Sequence, residues 1–336
     1  MVLYNHGHYQ WYPAIDKAYF KFNNLAHAAV VVFFVLSGYV IAYTTTQKNR
    51  GAFQYALARL SRLSSVVIPA VLTTMVIELI VLQLNPSLHA QYARDAFITR
   101  YLLSGFFLNE IWFLSAAPLF NIALWSLSYE FWYYTIFGFW FFRKPGWKSL
   151  CLAIGASVFA GPKILLMMPI WLCGYIACRL RKPVFGYTKA WFFVFLVLIA
   201  TGLSINFLPP FPFRLGFKPL FFANEFLTDW IIGILLAFAI WLLPAKRNSL
   251  VKPEWVHGFR KVANLTFPLY VFHYPLFILY RCVFGFTMNS EAQLWEAILS
   301  VTLFSVIIGF FLDKQRYLWD NLFRWLLNLI KNFLLI

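Results

Sequence analysis

Ionisable and hydroxyl side chains inside apolar segments are the residues of this sequence that could carry out chemistry. An ionisable group in a hydrocarbon core is costly, so each one is a functional hypothesis. The clearest group lies in LWSLSYEFWYY, where Ser126, Glu130 and Tyr134 follow one another at intervals of four residues. On a helix these side chains share one face. We therefore expect a carboxylate with hydroxyl neighbours that faces the interior of a bundle; a structural carboxylate paired with an Arg or a Tyr is the alternative.

Histidines form a second group of candidates. His6 and His8 lie in NHGH at the end of a short apolar segment, and His27 begins the next one. In TFPLYVFHYPLF, His273 shares a helical face with Tyr270, and a proline follows two residues later. A neutral imidazole can take a proton from a hydroxyl near physiological pH. The alternatives are an exposed loop histidine at position 6 or 8, and a packed histidine at position 273 that binds a carbonyl freed by the proline.

Two arginines are candidates for binding an anion. Arg59 and Arg62 lie three residues apart in ALARLSRL, at the start of an apolar run. Most arginines in such places fix the orientation of a protein in the membrane. As a pair they are also able to bind a phosphate group. The cysteines and histidines show no metal-ligand spacing, so no metal site is predicted.

The elements that must position these residues are membrane-spanning helices. Of the 336 residues, 62% are hydrophobic and 12% are charged, whereas soluble domains carry about 25% charged residues. The apolar residues fall in runs of about 20, the length that crosses a hydrocarbon core. We predict an all-α polytopic transmembrane bundle of about ten spans. Met1–Tyr4 has the character of the last turn of a first, truncated span, and nine full spans follow at 26–43, 63–84, 123–142, 148–162, 164–178, 190–208, 226–243, 266–284 and 294–312.

The positive charges predict the orientation. The formal net charge is +16, which in a soluble protein would suggest nucleic acid. Here most Lys and Arg residues fall on one side if the loop at 44–62 is cytoplasmic, as the positive-inside rule requires. We therefore expect a multi-pass protein of the inner or plasma membrane with a cytoplasmic C-terminus, whose partner is the lipid bilayer and not nucleic acid.

The last twenty residues have a different pattern. In 317–336, polar residues recur every three or four positions along an otherwise apolar helix. This pattern is typical of an amphipathic helix that lies on the membrane surface. An eleventh span is less favoured, because Arg324 and Lys331 would then lie in hydrocarbon. The predicted division is a membrane domain at 1–316 and an interfacial helix at 317–336.

Three segments together resemble the acyltransferase-3 family of membrane O-acyltransferases. They are FFVLSGYVIAY (Phe33–Tyr43), WSLSYEFWYY (Trp125–Tyr134) and FPLYVFHYPLF (Phe267–Phe277). The distance of Arg59 and Arg62 from FFVLSG is similar as well, and the resemblance covers nearly the whole chain. It implies ten spans and transfer of an acyl group, commonly acetyl, from a cytosolic thioester to a carbohydrate or other acceptor, usually a cell-surface polysaccharide.

The resemblance also implies roles for individual residues. VLYNH resembles the surroundings of the family's catalytic histidine, which makes His6 the candidate. The arginine that stands ten residues before that histidine has no counterpart in this sequence. The glycine-valine-aspartate common before FFVLSG is replaced by 29–31 (AVV), where His27 is a candidate for part of the lost polar role. The residues expected to support the site are His27, Ser37, Ser126, Tyr134, Tyr270 and His273.

The resulting hypothesis is an enzyme. Acyl-CoA, in particular acetyl-CoA, is a donor substrate rather than a permanently bound cofactor, and its phosphates are expected near Arg59 and Arg62. His6 takes the proton of the acceptor hydroxyl, and Glu130 orients or charges a partner and is predicted to approach His6. The alternatives are a transporter or flippase for a lipid-linked sugar, against which the lack of paired repeats counts, and a truncated inactive relative.

Overall fold

The computed structural model describes residues 1–12, 25–47, 51–244 and 253–334. These residues are largely helical and contain no strand, which confirms the all-α prediction. The α-helices, in chain order, are α1 (Val2–Trp11), α2 (Leu25–Ala42), α3 (Ala52–Leu84), α4 (Pro86–Tyr92), α5 (Phe97–Gly105), α6 (Trp125–Phe141), α7 (Trp147–Ala160), α8 (Pro162–Arg179), α9 (Tyr187–Phe207), α10 (Phe226–Leu242), α11 (Pro253–Phe284) and α12 (Glu291–Leu334).

Five of the described helices are long and apolar enough to cross a bilayer, and a bent pair of helices would make six. The five spans lie in α2, α3, α9, α11 and α12, and the bent pair is α7 with α8. Only 17% of the apolar stretch of α9 is buried within the chain, as expected for a helix that faces lipid. The membrane prediction is therefore supported, and the count of ten spans stays a prediction.

The core is built around α2, which packs closely on α8. Gly38 and Gly174 make this approach possible: a Cβ atom on Gly38 would lie 1.9 Å from the carbonyl oxygen of Trp171, and one on Gly174 would lie 1.9 Å from that of Val35. Small residues allow this kind of close backbone approach between membrane helices. Phe34 of α2 and Trp171 of α8 are fully buried in the same apolar core as Tyr133 of α6.

The segments predicted as spans at 148–162 and 164–178 are two helices that meet at a sharp bend. α7 and α8 differ in direction by 116° across Gly161. Gly161 has φ +84°, and Pro162 directly after it begins α8. A left-handed residue ends a helix, and a proline is well suited to begin one, so this dipeptide produces the bend.

The last helix is longer than predicted. α12 runs for 44 residues without a break, so the expected boundary at 316/317 lies inside a continuous helix. The segment predicted to be amphipathic continues the same helix, and its position at the membrane surface stays a prediction. α3 is extended in the same way: it begins at Ala52 rather than at 63, so that Arg59 and Arg62 lie within the helix. α3 and α12 pack against each other.

Candidate active site

The first part of the candidate site is a pair of histidines from α1 and α11. His6 Nδ1 lies 2.8 Å from His273 Nε2, and the two rings are stacked with centroids 5.1 Å apart. His273 is fully buried, whereas His6 is partly exposed. The edge of Tyr274 packs on His6 at 5.2 Å. His6 is therefore fixed in position and keeps part of its surface exposed.

The hydrogen bonds of His273 determine where the imidazole hydrogens lie. His273 Nδ1 is 2.6 Å from the carbonyl oxygen of Tyr270. A carbonyl oxygen only accepts, so His273 Nδ1 carries a hydrogen. When both rings are neutral, His273 Nε2 is then an acceptor, and His6 donates its Nδ1 hydrogen to it. His6 consequently presents a lone pair at Nε2, the arrangement that a general base requires.

Hydroxyl groups continue from the histidines towards α6. The hydroxyl of Tyr270 lies 2.7 Å from Ser126 Oγ, so one of the two donates to the other. The carbonyl oxygen of Ala123 lies 3.2 Å from the Tyr270 hydroxyl and 3.3 Å from that of Ser126, and it accepts from the one whose hydrogen is still available. Ser126 is one turn from Glu130 on α6. The predicted shared face of Ser126, Glu130 and Tyr134 is thus present and points into the bundle.

Glu130 lies at the centre of the second part of the site. Its carboxylate is 1% exposed and accepts a hydrogen bond from Tyr134 and one of 3.4 Å from Ser37. The Ser37 hydroxyl also lies 2.9 Å from that of Tyr134 and accepts a bond of 3.2 Å from Trp171 Nε1. Among the described residues, Glu130 Oε2 has no hydrogen-bond partner. Ser37 of the FFVLSG motif thus donates to Glu130.

The charges of Arg59 and Arg62 act on the Glu130 carboxylate. The Arg59 guanidinium lies 5.6 Å from the centre of the Tyr134 ring, and Arg62 lies 5.9 Å from that of Phe267. Two cavities open beside them. One of about 300 Å³ is lined by Arg59, Arg62, Ser65, Asn264, Asp313 and Arg316. The other, of about 550 Å³ and mainly apolar, is lined among others by Tyr55, Arg59, Phe131, Tyr134, Phe142 and Leu327.

The predicted partnership of His6 with Glu130 is not the one that the structure shows. His6 is paired with His273, and Glu130 is paired with Tyr134 and Ser37. The physical reason is the position of α11, which packs against α1 and also against the turn that precedes α6. Of its residues, His273 therefore contacts His6, and Tyr270 contacts Ser126 of α6. Arg316 and Asn264 beside the arginine pair were not predicted.

The comparison with protein families shows to which family this chain belongs. The family model of the acyltransferase domain Acyl_transf_3 matches residues 2–314. The chain belongs to the acyltransferase-3 family. It is an acyltransferase with several membrane helices. Neither a curated protein nor a solved structure matches it.

This acyltransferase has a second buried polar cluster beside α6. His27 Nε2 lies 2.9 Å from Asp229 Oδ2, and both side chains are buried. The His27 ring stacks on Trp125, whose centroid is 5.7 Å away. Glu225 lies next to the pair, and burial, together with the charge of Asp229, raises the pKa of its carboxyl group. His27 thus has a buried carboxylate partner, and its taking part of the role of the missing aspartate stays a prediction.

A buried ion pair holds the loop between α5 and α6 against the bend at Gly161. Lys163 Nζ lies 2.5 Å from Glu110 Oε2 and 2.5 Å from the carbonyl oxygen of Leu114, and neither charged side chain is exposed. Burial raises the pKa of the Glu110 carboxyl to about 7, against the opposing effects of Lys163 and Ser115. This pair was not predicted, because Glu110 and Lys163 come from separate segments with no shared motif.

Proposed function

We propose that this acyltransferase is an O-acetyltransferase that moves an acetyl group from cytosolic acetyl-CoA to a hydroxyl of a cell-surface or exported carbohydrate. The observation that carries the proposal is the His6–His273 pair. A base for acyl transfer must have a free lone pair, a fixed orientation and access to the substrate. His6 combines the three, because His273 occupies its Nδ1 and leaves Nε2 open.

The proposed reaction is balanced in atoms and protons. His6 Nε2 takes the proton of the acceptor hydroxyl while the oxygen attacks the thioester carbonyl carbon. The carbon–sulfur bond then breaks, and the proton returns from His6 to the departing thiolate. His273 stabilises the transient imidazolium by fixing the His6 ring and does not contact the substrate.

The donor is proposed to bind at the arginine pair. The cavity lined by Arg59, Arg62 and Arg316 is rich in groups that bind phosphate, and the Arg59 Nε and one terminal nitrogen have no hydrogen-bond partner among the described residues. The neighbouring apolar cavity reaches Tyr134, which is bonded to Glu130, and suits the uncharged arm of the donor. The positive-inside rule favours a cytoplasmic position for this end of the bundle. Glu130 then orients Tyr134 and offsets part of the arginine charge.

The test of the proposal is acetyl transfer by the two neighbouring histidine variants. Membrane vesicles with the unchanged protein, His6→Ala or His8→Ala receive labelled acetyl-CoA and surface glycans as acceptors, and ester-linked label is measured. Loss of a positioned base costs about 10²–10⁴ in rate, so His6→Ala should be inactive at equal protein level. His8 is the matched control, because it lies one half-turn away and stacks on Tyr12. Transfer that survives His6→Ala would rule out this base, and transfer lost only in His8→Ala would move the site by two residues.

A further inference from the structure

The first turns of α2 and α10 bring three possible metal ligands together. His27 lies in the first turn of α2, Asp229 lies in the first turn of α10, and Glu225 directly precedes α10. The two helices pack against each other. The resulting cluster of one imidazole and two carboxylates is separate from the His6–His273 pair, and its role does not depend on the proposed transfer chemistry.

The geometry of this cluster suits a single cation. One ligand atom from each of the three side chains lies within 4.8 Å of the other two. A point at the centre of the three atoms is therefore at most about 2.8 Å from each of them. A small inward movement of the side chains would bring this distance to the roughly 2.0–2.6 Å at which divalent cations are bound. The 2.9 Å between His27 Nε2 and Asp229 Oδ2 is also a usual separation for two ligands of one ion.

Two buried hydroxyl groups provide a second, independent observation. Tyr129 and Tyr133 are one turn apart on α6, and their side chains are fully buried. Neither hydroxyl has a hydrogen-bond partner among the described residues, and the charge of Asp229 acts on both. Buried polar groups are nearly always satisfied. Hydroxyls placed here are suited to bind water molecules in the shell of a cation.

The residues around this cluster disfavour an organic ligand and favour a bound cation. The Trp125 ring is buried, and His27 and Phe222 both stack on it, the latter at 4.4 Å, so this ring is not available for a sugar to stack on. The buried ammonium of Lys163 is already bound to Glu110. One divalent cation would offset the charges of two ionised carboxylates, and His27, which otherwise pairs with Asp229, would bind it as the neutral imidazole.

We propose that His27, Glu225 and Asp229 bind one divalent transition-metal cation of the Zn²⁺ class, which ties the start of α2 to the start of α10. A nitrogen ligand together with two carboxylates favours such an ion over Mg²⁺ or Ca²⁺, which prefer oxygen ligands alone. Binding requires the lone pair of His27 Nε2. The hydrogen that this nitrogen otherwise shares with Asp229 leaves as a proton to solvent, so affinity rises with pH.

The experiment measures metal binding and thermal stability of the full chain in detergent, without an affinity tag. The protein is dialysed against EDTA and then equilibrated with ZnCl₂ or MgCl₂. We expect one tightly bound Zn²⁺ per chain, a higher melting temperature with Zn²⁺, and no comparable rise with Mg²⁺. Glu225→Gln and Asp229→Asn should each weaken Zn²⁺ binding at least tenfold, whereas Glu291→Gln, an exposed carboxylate on α12, should leave it unchanged.

Three results would overturn the metal site. They are the absence of Zn²⁺ binding, binding that Glu225→Gln leaves intact, and equal stabilisation by Mg²⁺. The first result would leave a histidine–aspartate ion pair as the whole role of the cluster, and the second would indicate adventitious binding at other side chains. Glu225→Gln decides the outcome if Asp229→Asn fails to fold, because Glu225 does not provide the hydrogen bond to His27.

Discussion

Replacing Gly38 by alanine should separate α2 from α8 and disconnect the site around Glu130. The new Cβ atom would lie 1.9 Å from the carbonyl oxygen of Trp171, whereas the closest usual carbon–oxygen contact is about 3.3 Å. The helices would have to move apart by about 1.4 Å at this point, and a gap of that size removes much of the dispersion energy between the packed surfaces. Overpacking of this kind costs about 1–3 kcal/mol, and we expect the upper end because backbone atoms cannot rotate away.

The assay is thermal unfolding in detergent, followed by the fraction of monodisperse protein after heating. A loss of about 3 kcal/mol should lower the melting temperature by roughly 5 °C or more for a chain of this size. The matched control is Gly202→Ala on α9, where no heavy atom lies within 4 Å of the new Cβ and helix propensity improves by up to about 1 kcal/mol. Acyl transfer should also fall in Gly38→Ala, because Trp171 and Ser37 would no longer meet. Equal melting temperatures for the two variants would refute the close packing of α2 on α8.

Three further predictions concern the donor, the buried ion pair and the topology. Replacing both Arg59 and Arg62 by Gln should weaken binding of acetyl-CoA at least tenfold with insertion unchanged, and an unchanged dissociation constant would make them topological anchors only. Lys163→Met should cost about 3–5 kcal/mol by leaving Glu110 unpaired, and the double variant with Glu110→Gln should recover most of that loss in the same melting assay. Alkaline phosphatase should be active when fused after Asn289 and inactive when fused after Ile336, and the reverse pattern would invert the bundle.

Periodicity within one segment predicted the elements and the faces of this site well. The apolar run at 26–43 is α2, and the four-residue spacing of Ser126, Glu130 and Tyr134 does place all three on the buried face of α6. The FFVLSG motif also has a direct physical meaning: its serine supports Glu130, and its glycine admits the backbone of α8. These properties depend on the spacing of residues within one helix, and this spacing is given directly by the sequence.

Contacts between distant segments were much harder to predict. His6 and Glu130 were placed at similar depths, but depth alone does not say which helix each of them contacts, and His6 contacts α11. Glu110 with Lys163, and Glu225 beside His27, are joined by packing rather than by any spacing along the chain. The proposed metal ligands come from separate segments, so the spacing of residues along the chain does not indicate them. The 116° bend was missed although Gly161 and Pro162 mark it, since hydropathy measures length and not direction.

The separation of His6 from the arginine pair has an electrical consequence. During the proposed transfer the acceptor oxygen exchanges a proton for an acetyl group, and the donor sulfur exchanges the acetyl group for that proton. The acetyl group and the proton therefore move in opposite directions, and each substrate leaves the protein with the charge it brought. Moving one uncompensated charge across the membrane would exchange about 2.3 kcal/mol with a potential of 100 mV. Because no net charge moves, the turnover rate in sealed vesicles should not depend on the sign of an imposed potential.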